Sequence, residues 1–134
     1  MIPEVALRDA LLADPAVAEL VGRRFYPHDD LPQAPTLPAM TYQRVGRPPS
    51  SLTMDRQEGP GGPRVQLNCV ASTYGGAWAL AREVMRVLGG GLSVEGGLQL
   101  ARLEGSGDLP RDAETRLFGV RLDVLVTMGA AEAA

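Results

Sequence analysis

Residues 116–127 read RLFGVRLDVLVT, and this stretch decides the fold. Apolar side chains occupy every second position from residue 118 onward: Phe118, Val120, Leu122, Val124 and Val126. Small or polar residues, among them Gly119, Arg121 and Asp123, fill the positions between them. Because successive side chains of a strand point to opposite faces, this period of two predicts a strand with one buried face.

A second strand is predicted at Arg64–Ala71 by the same alternation, with Cys69 among the apolar positions. Ser72-Thr73 then offers a helix N-cap. A helix is predicted from about Gly76 to Leu88, because its apolar residues recur at helical spacing. The glycines at 89–91 end it.

The N-terminal part predicts two helices separated at Asp14-Pro15. Proline disfavours the helical conformation of the preceding residue, and Asp14 is a good cap for a new helix. Gly22 ends that second helix. In the first helix, Glu4 and Arg8 have the spacing and order of a favourable ion pair.

Three weaker strands complete the pattern: a short edge strand at 23–27, a strand at 40–45 and another at 98–103, followed by a polar turn region at 104–113. Neighbouring strands joined without a crossover helix are expected to pair antiparallel. The sequence therefore predicts an α+β fold, with a mainly antiparallel sheet of four to five strands and about three helices packed on it.

Length and composition favour one domain, residues 1–134, with a real hydrophobic core. A net charge of −3 argues against binding of nucleic-acid backbone as the main role. One cysteine excludes a disulfide framework and a multi-thiolate zinc site. No apolar run approaches the roughly 20 residues of a membrane-spanning helix, and the N-terminus lacks signal-peptide features, so a cytoplasmic protein is the first expectation.

The segment 46–63 is rich in proline and glycine, and it is too long for an ordinary connection in a compact domain. Composition leaves two interpretations open, an arm that reaches a neighbouring subunit or a passive surface loop. The tail 129–134 consists mostly of small residues and is expected to fray.

Residues that could carry chemistry are few. His28, Asp29 and Asp30 are the only candidates for a metal or acid–base site, and a solvated polar loop is the favoured interpretation because a second strong ligand is missing. Cys69 occupies a buried position of its strand and is interpreted as a core residue. The glycine clusters match no phosphate-binding pattern. We therefore assign no catalytic, cofactor-binding or metal-binding residue, and expect no cofactor.

The order of these motifs resembles the tail-completion, or tail-terminator, family of long-tailed phages and phage-derived gene-transfer particles. The resemblance covers nearly the whole chain, with its signals at residues 4–17, 20–27, 37–43, 64–71 and 118–124, and in the helix that follows Tyr74. The chain departs from the family pattern at the segment 46–63 and at Cys69, where an aromatic or branched residue is expected.

The resemblance implies a structural protein, not an enzyme. It implies a ring, usually of six subunits, at the head-proximal end of the tail tube, which ends tube polymerisation and joins the tail to the neck. The implied partners are other copies of the chain, the tail tube protein, a neck or connector protein and DNA, which passes through the lumen without sequence-specific binding. The implied location is the phage-like particle, after synthesis in the bacterial host cytoplasm, with no membrane partner.

A closed ring needs two different contact patches on each subunit. Unpaired sheet edges are natural candidates, and we expect the strand at 116–127 or the segment 23–26 to supply one. Two alternatives stay open: a neck or connector adaptor of the same particle, and a small cytoplasmic enzyme or ligand-binding module that uses His28, Asp29 and Asp30.

Overall fold

The computed structural model describes residues 2–32, 35–45, 64–94, 98–111 and 116–128. The predicted segment 46–63 and the tail 129–134 lie outside these residues. Three α-helices and five strands follow one another along the described chain, with a short 3-10 helix at His28–Asp30. Their bounds are α1 Pro3–Leu12, α2 Pro15–Val21, β1 Phe25–Pro27, β2 Ala39–Arg44, β3 Arg64–Ala71, α3 Tyr74–Leu88, β4 Leu98–Leu109 and β5 Phe118–Met128.

The residues that cap and end the helices are those that the sequence predicted. The Asp14 carboxylate accepts hydrogen bonds from the backbone N–H groups of Ala16 and Val17 at 3.1 and 3.2 Å, so it caps α2. Gly22 ends α2 with a φ of 58°, a conformation that glycine adopts without steric cost. Thr73 caps α3, which therefore begins at Tyr74, slightly before the predicted start.

The predicted ion pair within α1 is wrong. Glu4 accepts instead from Arg44 of β2, with 2.7 Å between Oε1 and Nη2. Arg8 bonds to its neighbour Asp9 and to the backbone carbonyl of Phe25. Both side chains thus connect α1 to the sheet. An ion pair between residues four apart stabilises a helix by only roughly 0.2–0.5 kcal/mol, so contacts with the sheet can replace it.

The sheet confirms the α+β prediction, and its strand order is β1-β2-β3-β5-β4. Every neighbouring pair is antiparallel except β1 and β2, which are parallel. The expectation that adjacent strands pair antiparallel is therefore wrong at this point. The reason lies in the connection after β1, which contains the 3-10 helix and returns the chain to the end of the sheet where β1 began.

Strand β5 lies in the interior of the sheet, between β3 and β4. It is antiparallel to both neighbours, so β3 and β4 run in the same direction and α3 connects them across one face. This position explains the strong alternation at 116–127, since a central strand has both its edges paired and one face packed under the helices.

Strand β4 extends to Leu109, whereas the sequence predicted a strand that ends at 103 and a turn after it. The register shifts between Leu103 and Gly105, so one extra residue interrupts the alternation there. Gly105 and Gly107 also weaken the local strand signal. Because of this bulge, the sequence pattern of one continuous strand resembles that of a strand followed by a turn.

The core lies between the three helices and one face of the sheet. Its largest fully buried side chains are Phe25, Leu7, Leu11, Met40, Leu67, Leu80, Leu88, Leu98 and Leu122. Cys69 is also fully buried there, as predicted. Within the described ranges, no helix has the length and apolar character needed to cross a membrane.

Candidate assembly interface

Strand β4 forms one outer edge of the sheet, and part of this edge has no backbone partner among the residues that the structure describes. Leu92 and Ala101 exchange two backbone hydrogen bonds of 2.9 and 2.8 Å, and the Val94 N–H donates to the Leu98 carbonyl, so the first residues of β4 are covered. From Arg102 to Leu109, no described residue bonds to the outward N–H and C=O groups. We call residues 102–109 the open edge.

The end of the open edge is fastened to α3. Asp108 accepts from the indole Nε1–H of Trp78 at 2.8 Å and from the Tyr74 hydroxyl at 3.1 Å. Both donors lie on α3, so the Asp108 carboxylate is drawn over the helix-covered face. The connection after β4 is held nearby, because the Arg111 guanidinium stacks on the Phe118 ring at 4.4 Å.

The beginning of the open edge is fastened across the sheet. Glu104 accepts from Arg64 of β3 at 2.9 Å, and Arg102 approaches its second oxygen at 3.6 Å. Since β5 lies between β3 and β4, the Glu104 side chain reaches over a whole strand. The two carboxylates of the open edge are therefore engaged on the sheet faces and do not shield the backbone from the side.

The opposite edge of the sheet is closed. Strand β1 has three residues, and the outward carbonyl of Phe25 accepts from Arg8 Nε at 3.1 Å. The Phe25 N–H donates to the Arg23 carbonyl at 2.9 Å. Pro27 has no N–H to offer. Strand addition at this edge would have to displace bonds that the subunit already makes.

These observations correct the expectation for the strand at 116–127. Both of its edges are occupied, by β3 and by β4, so it cannot pair with another subunit. The alternative segment, 23–26, belongs to the closed edge. Among the described residues, the free backbone groups lie along the second half of β4, which the sequence predicted to be a turn region.

The face of the sheet away from the helices, here called the outer face, is polar and internally bonded. Gln66 donates to Asn68 at 2.9 Å, and Asn68 in turn donates to the hydroxyl of Thr41 at 3.1 Å. Thr41 and Asn68 are 3% and 6% exposed. Arg121 pairs with Asp123, two residues further along β5, at 3.2 Å. The cations of this face thus have carboxylate partners close to them.

A cleft of about 250 Å³ covers one end of the outer face. Its floor is formed by Thr41, Asn68 and Val70. Its walls come from the connection after β1, and from the end of β4, the start of β5 and the connection between them. The wall residues are His28, Leu31, Pro32, Pro35, Leu109, Pro110, Leu117, Phe118 and Gly119. The cleft is mainly apolar with a polar floor whose groups already bond to one another.

The residues singled out for chemistry are not brought together into a site. His28 lies exposed at the cleft wall and Asp30 is exposed, while the Asp29 side chain is outside the part that the structure describes. Among the described side chains, no group of three or more His, Cys, Asp or Glu residues is placed to hold a metal ion. Burial raises the pKa of Cys69 to about 12, so its thiol stays protonated at neutral pH.

One charge cluster ties α2 to α3. Arg86 donates to Asp14 at 2.8 Å and to Glu83 at 2.9 Å. Desolvation raises the pKa of Asp14, but the hydrogen bonds from Val17 and Arg86 together outweigh it, so the net pKa is lowered. The bonds from Glu83 and Asp14 raise the pKa of Arg86. This cluster serves the packing of the helices, because each of its groups already has a partner within the subunit.

The structure therefore defines a small α+β domain whose most distinctive surface is an open strand edge, as expected for a protein that acts by assembly. Comparison with known families identifies its class: the family described as tail completion protein gp17 matches residues 5–129, and the chain belongs to that family. It is a structural component of the tail of a phage-like particle and not an enzyme.

A solved structure has the same fold. One chain of a structure titled "Virion of native gene transfer agent (GTA) particle" superposes with a TM-score of 0.62 at 20% sequence identity, over 92% of each chain. No curated protein matches the chain.

Proposed function

We propose that this protein forms a closed ring, of six subunits, at the head-proximal end of a phage-like tail tube. There it ends polymerisation of the tube and joins the tail to the neck. Its partners are other copies of itself, the tail tube protein and a neck or connector protein. Membership of the tail completion family supports this assignment, since the family is named for the completion of tails.

The observation that carries the ring is the asymmetry of the sheet. One edge is closed by Arg8 and Pro27, and the other is open over residues 102–109. A ring joins subunits head to tail, so each subunit presents one patch to one neighbour and a different patch to the next. Because the β1 edge is closed, the open edge must meet a different surface of the next subunit if the subunits are to close into a ring.

DNA crosses the ring through its lumen in this proposal, without sequence-specific contacts. Each unpaired cation that contacts a phosphate adds salt-sensitive affinity and holds the DNA in place. The net charge of −3 and the pairing of Arg121 with Asp123 and of Arg64 with Glu104 on the outer face are compatible with passage. The particle is a phage or a gene transfer agent, and the solved chain with the same fold comes from the latter class.

Native mass spectrometry and negative-stain imaging of the purified chain, alone and with tail tubes, test the proposal. We expect rings of six copies, and tubes that stop growing once a ring occupies one end. A chain that remains monomeric and leaves tube length unchanged would refute it. In intact particles, density against the portal and away from the tube end would instead assign the protein as a neck adaptor.

A further inference from the structure

We propose that the open edge, residues 102–109, is completed by an extended strand from a second copy of this chain. The sheet of one subunit then continues into its neighbour. This inference rests on the proposed ring and specifies one of its two contact patches. The open edge binds the incoming strand through main-chain hydrogen bonds along its length.

The open edge lacks most of the usual protection of a free strand. Proteins blunt free edges with lysine, proline or outward charges, because an unpaired edge is a template for another strand. Here Glu104 bonds to Arg64 and Asp108 bonds to Trp78, so neither carboxylate stands beside the edge. Gly105 and Gly107 add no side chain, and neither has a positive φ, so the backbone stays extended. The protective features that remain among the described residues lie at the beginning of the edge: the bulge after Leu103 and the exposed cation of Arg102.

The connection 46–63 of a neighbouring copy has the length to supply the incoming strand. The neighbour's own sheet offers no free described edge besides its β4, because β1 is closed by Arg8. The connection 46–63 has 18 residues and contains the proline-free run Ser50–Glu58. Fully extended, nine residues span about 30 Å, and the eight residues of the open edge span about 26 Å. The lengths therefore match.

The connection 46–63 is too short to place Ser50–Glu58 along the open edge of its own subunit, so the strand must come from another copy. Arg64 lies level with Arg102, through Leu125 of β5. If Ser50–Glu58 lay along its own open edge, one of its ends would be about 23 Å further along the sheet and three strand spacings, about 14 Å, to the side of Arg64. That distance is about 27 Å, whereas the five residues 59–63 span about 20 Å at most.

If Ser50–Glu58 ran in the opposite direction along its own open edge, the distance to be spanned would be larger still. The four residues between Val45 and Ser50 would have to span about 30 Å, because β2 lies one strand further from the open edge, and they reach only about 17 Å. The Val45 N–H bonds to the Arg64 carbonyl, which fixes both ends of the connection at one place. A connection from a neighbouring copy has no such limit.

Two variants and one control test the proposal on the full chain. Ser106→Lys places a cation in the middle of the open edge, where Ser106 is exposed. Asp55→Pro removes an N–H from the middle of the run Ser50–Glu58. Ala13→Lys adds the same charge at an exposed position after α1 and is the control. Circular dichroism and monomer hydrogen exchange verify that each variant folds.

We expect Ser106→Lys and Asp55→Pro each to weaken ring closure by on the order of tenfold in the association constant, while Ala13→Lys closes rings as the wild type does. Hydrogen exchange should show that peptides covering 102–109 become protected when monomers assemble. Rings that leave these peptides unprotected, or that close normally in either test variant, would overturn the proposal while the ring itself stands. A wild-type chain that forms no ring refutes the proposed function, which is a separate result.

Discussion

A buried hydrogen bond between β2 and β3 gives the most quantitative test of the structure. Asn68 donates through Nδ2 to Oγ1 of Thr41 at 3.1 Å, under the cleft of the outer face, and both side chains are almost completely buried. Thr41→Val keeps the shape of the side chain and removes the acceptor. Asn68→Leu keeps the approximate volume and removes the donor. Each single change leaves a polar group of the other residue buried without its partner.

The expected magnitudes follow from that asymmetry. Leaving a buried polar group unpaired costs about 1–3 kcal/mol, whereas replacing both partners by apolar groups of similar shape is nearly neutral. Each single variant should therefore lower the free energy of unfolding by about 2 kcal/mol, and the double variant by less than the sum, with a coupling energy of about 1–3 kcal/mol. Gln66, which also bonds to Asn68, is only half-buried and can turn to water.

Urea unfolding followed by the fluorescence of Trp78, the single tryptophan, measures these values. With a slope of about 2 kcal/mol/M, a loss of 2 kcal/mol moves the midpoint by about 1 M. Thr36→Val, at an exposed position, is the control and should change stability by no more than about 0.5 kcal/mol. Single variants as stable as this control, or a strictly additive double variant, would refute the buried pairing of the two side chains.

The helix cap at Thr73, the carboxylate of Asp14, the thiol of Cys69 and the connection 46–63 can each be tested separately. Thr73→Ala removes the cap of α3 and should destabilise the domain by about 1 kcal/mol in urea unfolding; an unchanged midpoint would contradict the cap. The pKa of Asp14 is lowered in the fold from its ordinary value of 3.8, so its ionised form contributes stability that is complete above pH 3.8 and is lost as pH falls through the folded pKa. The stability difference between the wild type and Asp14→Ala should accordingly narrow below pH 3.8, and a constant difference across that range would count against the carboxylate's role. Cys69, buried and with its pKa raised to about 12, should resist thiol reagents at pH 8 until urea unfolds the chain, and immediate labelling of the native protein would show that the site is open. Deletion of residues 48–60 leaves a five-residue connection between paired strand ends, so the monomer should fold with a stability changed by about 1 kcal/mol while ring closure is impaired; normal assembly would show that the segment is passive.

Local periodicity was sufficient for the elements that this fold packs most regularly. In each of these elements the buried residues recur with one constant period along the whole length. The period is two in the strands at 64–71 and 118–128, and 3.6 in the helix at 74–88. A helix cap such as Asp14 bonds to backbone N–H groups two and three residues away, so it can also be predicted from the local sequence. The α+β class and the family resemblance followed from these elements and their order, and both are confirmed.

The candidate interface could not be predicted in the same way, because it depends on relations between distant residues. The bulge in β4 interrupts its alternation, so its second half lacked a strand signal. Which strand lies at an edge is a property of topology, and the insertion of β5 between β3 and β4 is invisible to local patterns. The bond from Trp78 to Asp108 joins residues 30 apart and the one from Arg64 to Glu104 joins residues 40 apart.

The two ties of the open edge explain how an unguarded strand can serve assembly. A free strand held only by its neighbour β5 would lose conformational entropy when another strand pairs with it, and that loss would weaken binding. Asp108 and Glu104 fix both ends of the segment during folding, so this entropy is lost before subunits meet. The same contacts remove carboxylates from beside the backbone. One set of side chains therefore makes the edge both rigid and accessible, which is what a template for a neighbouring strand requires.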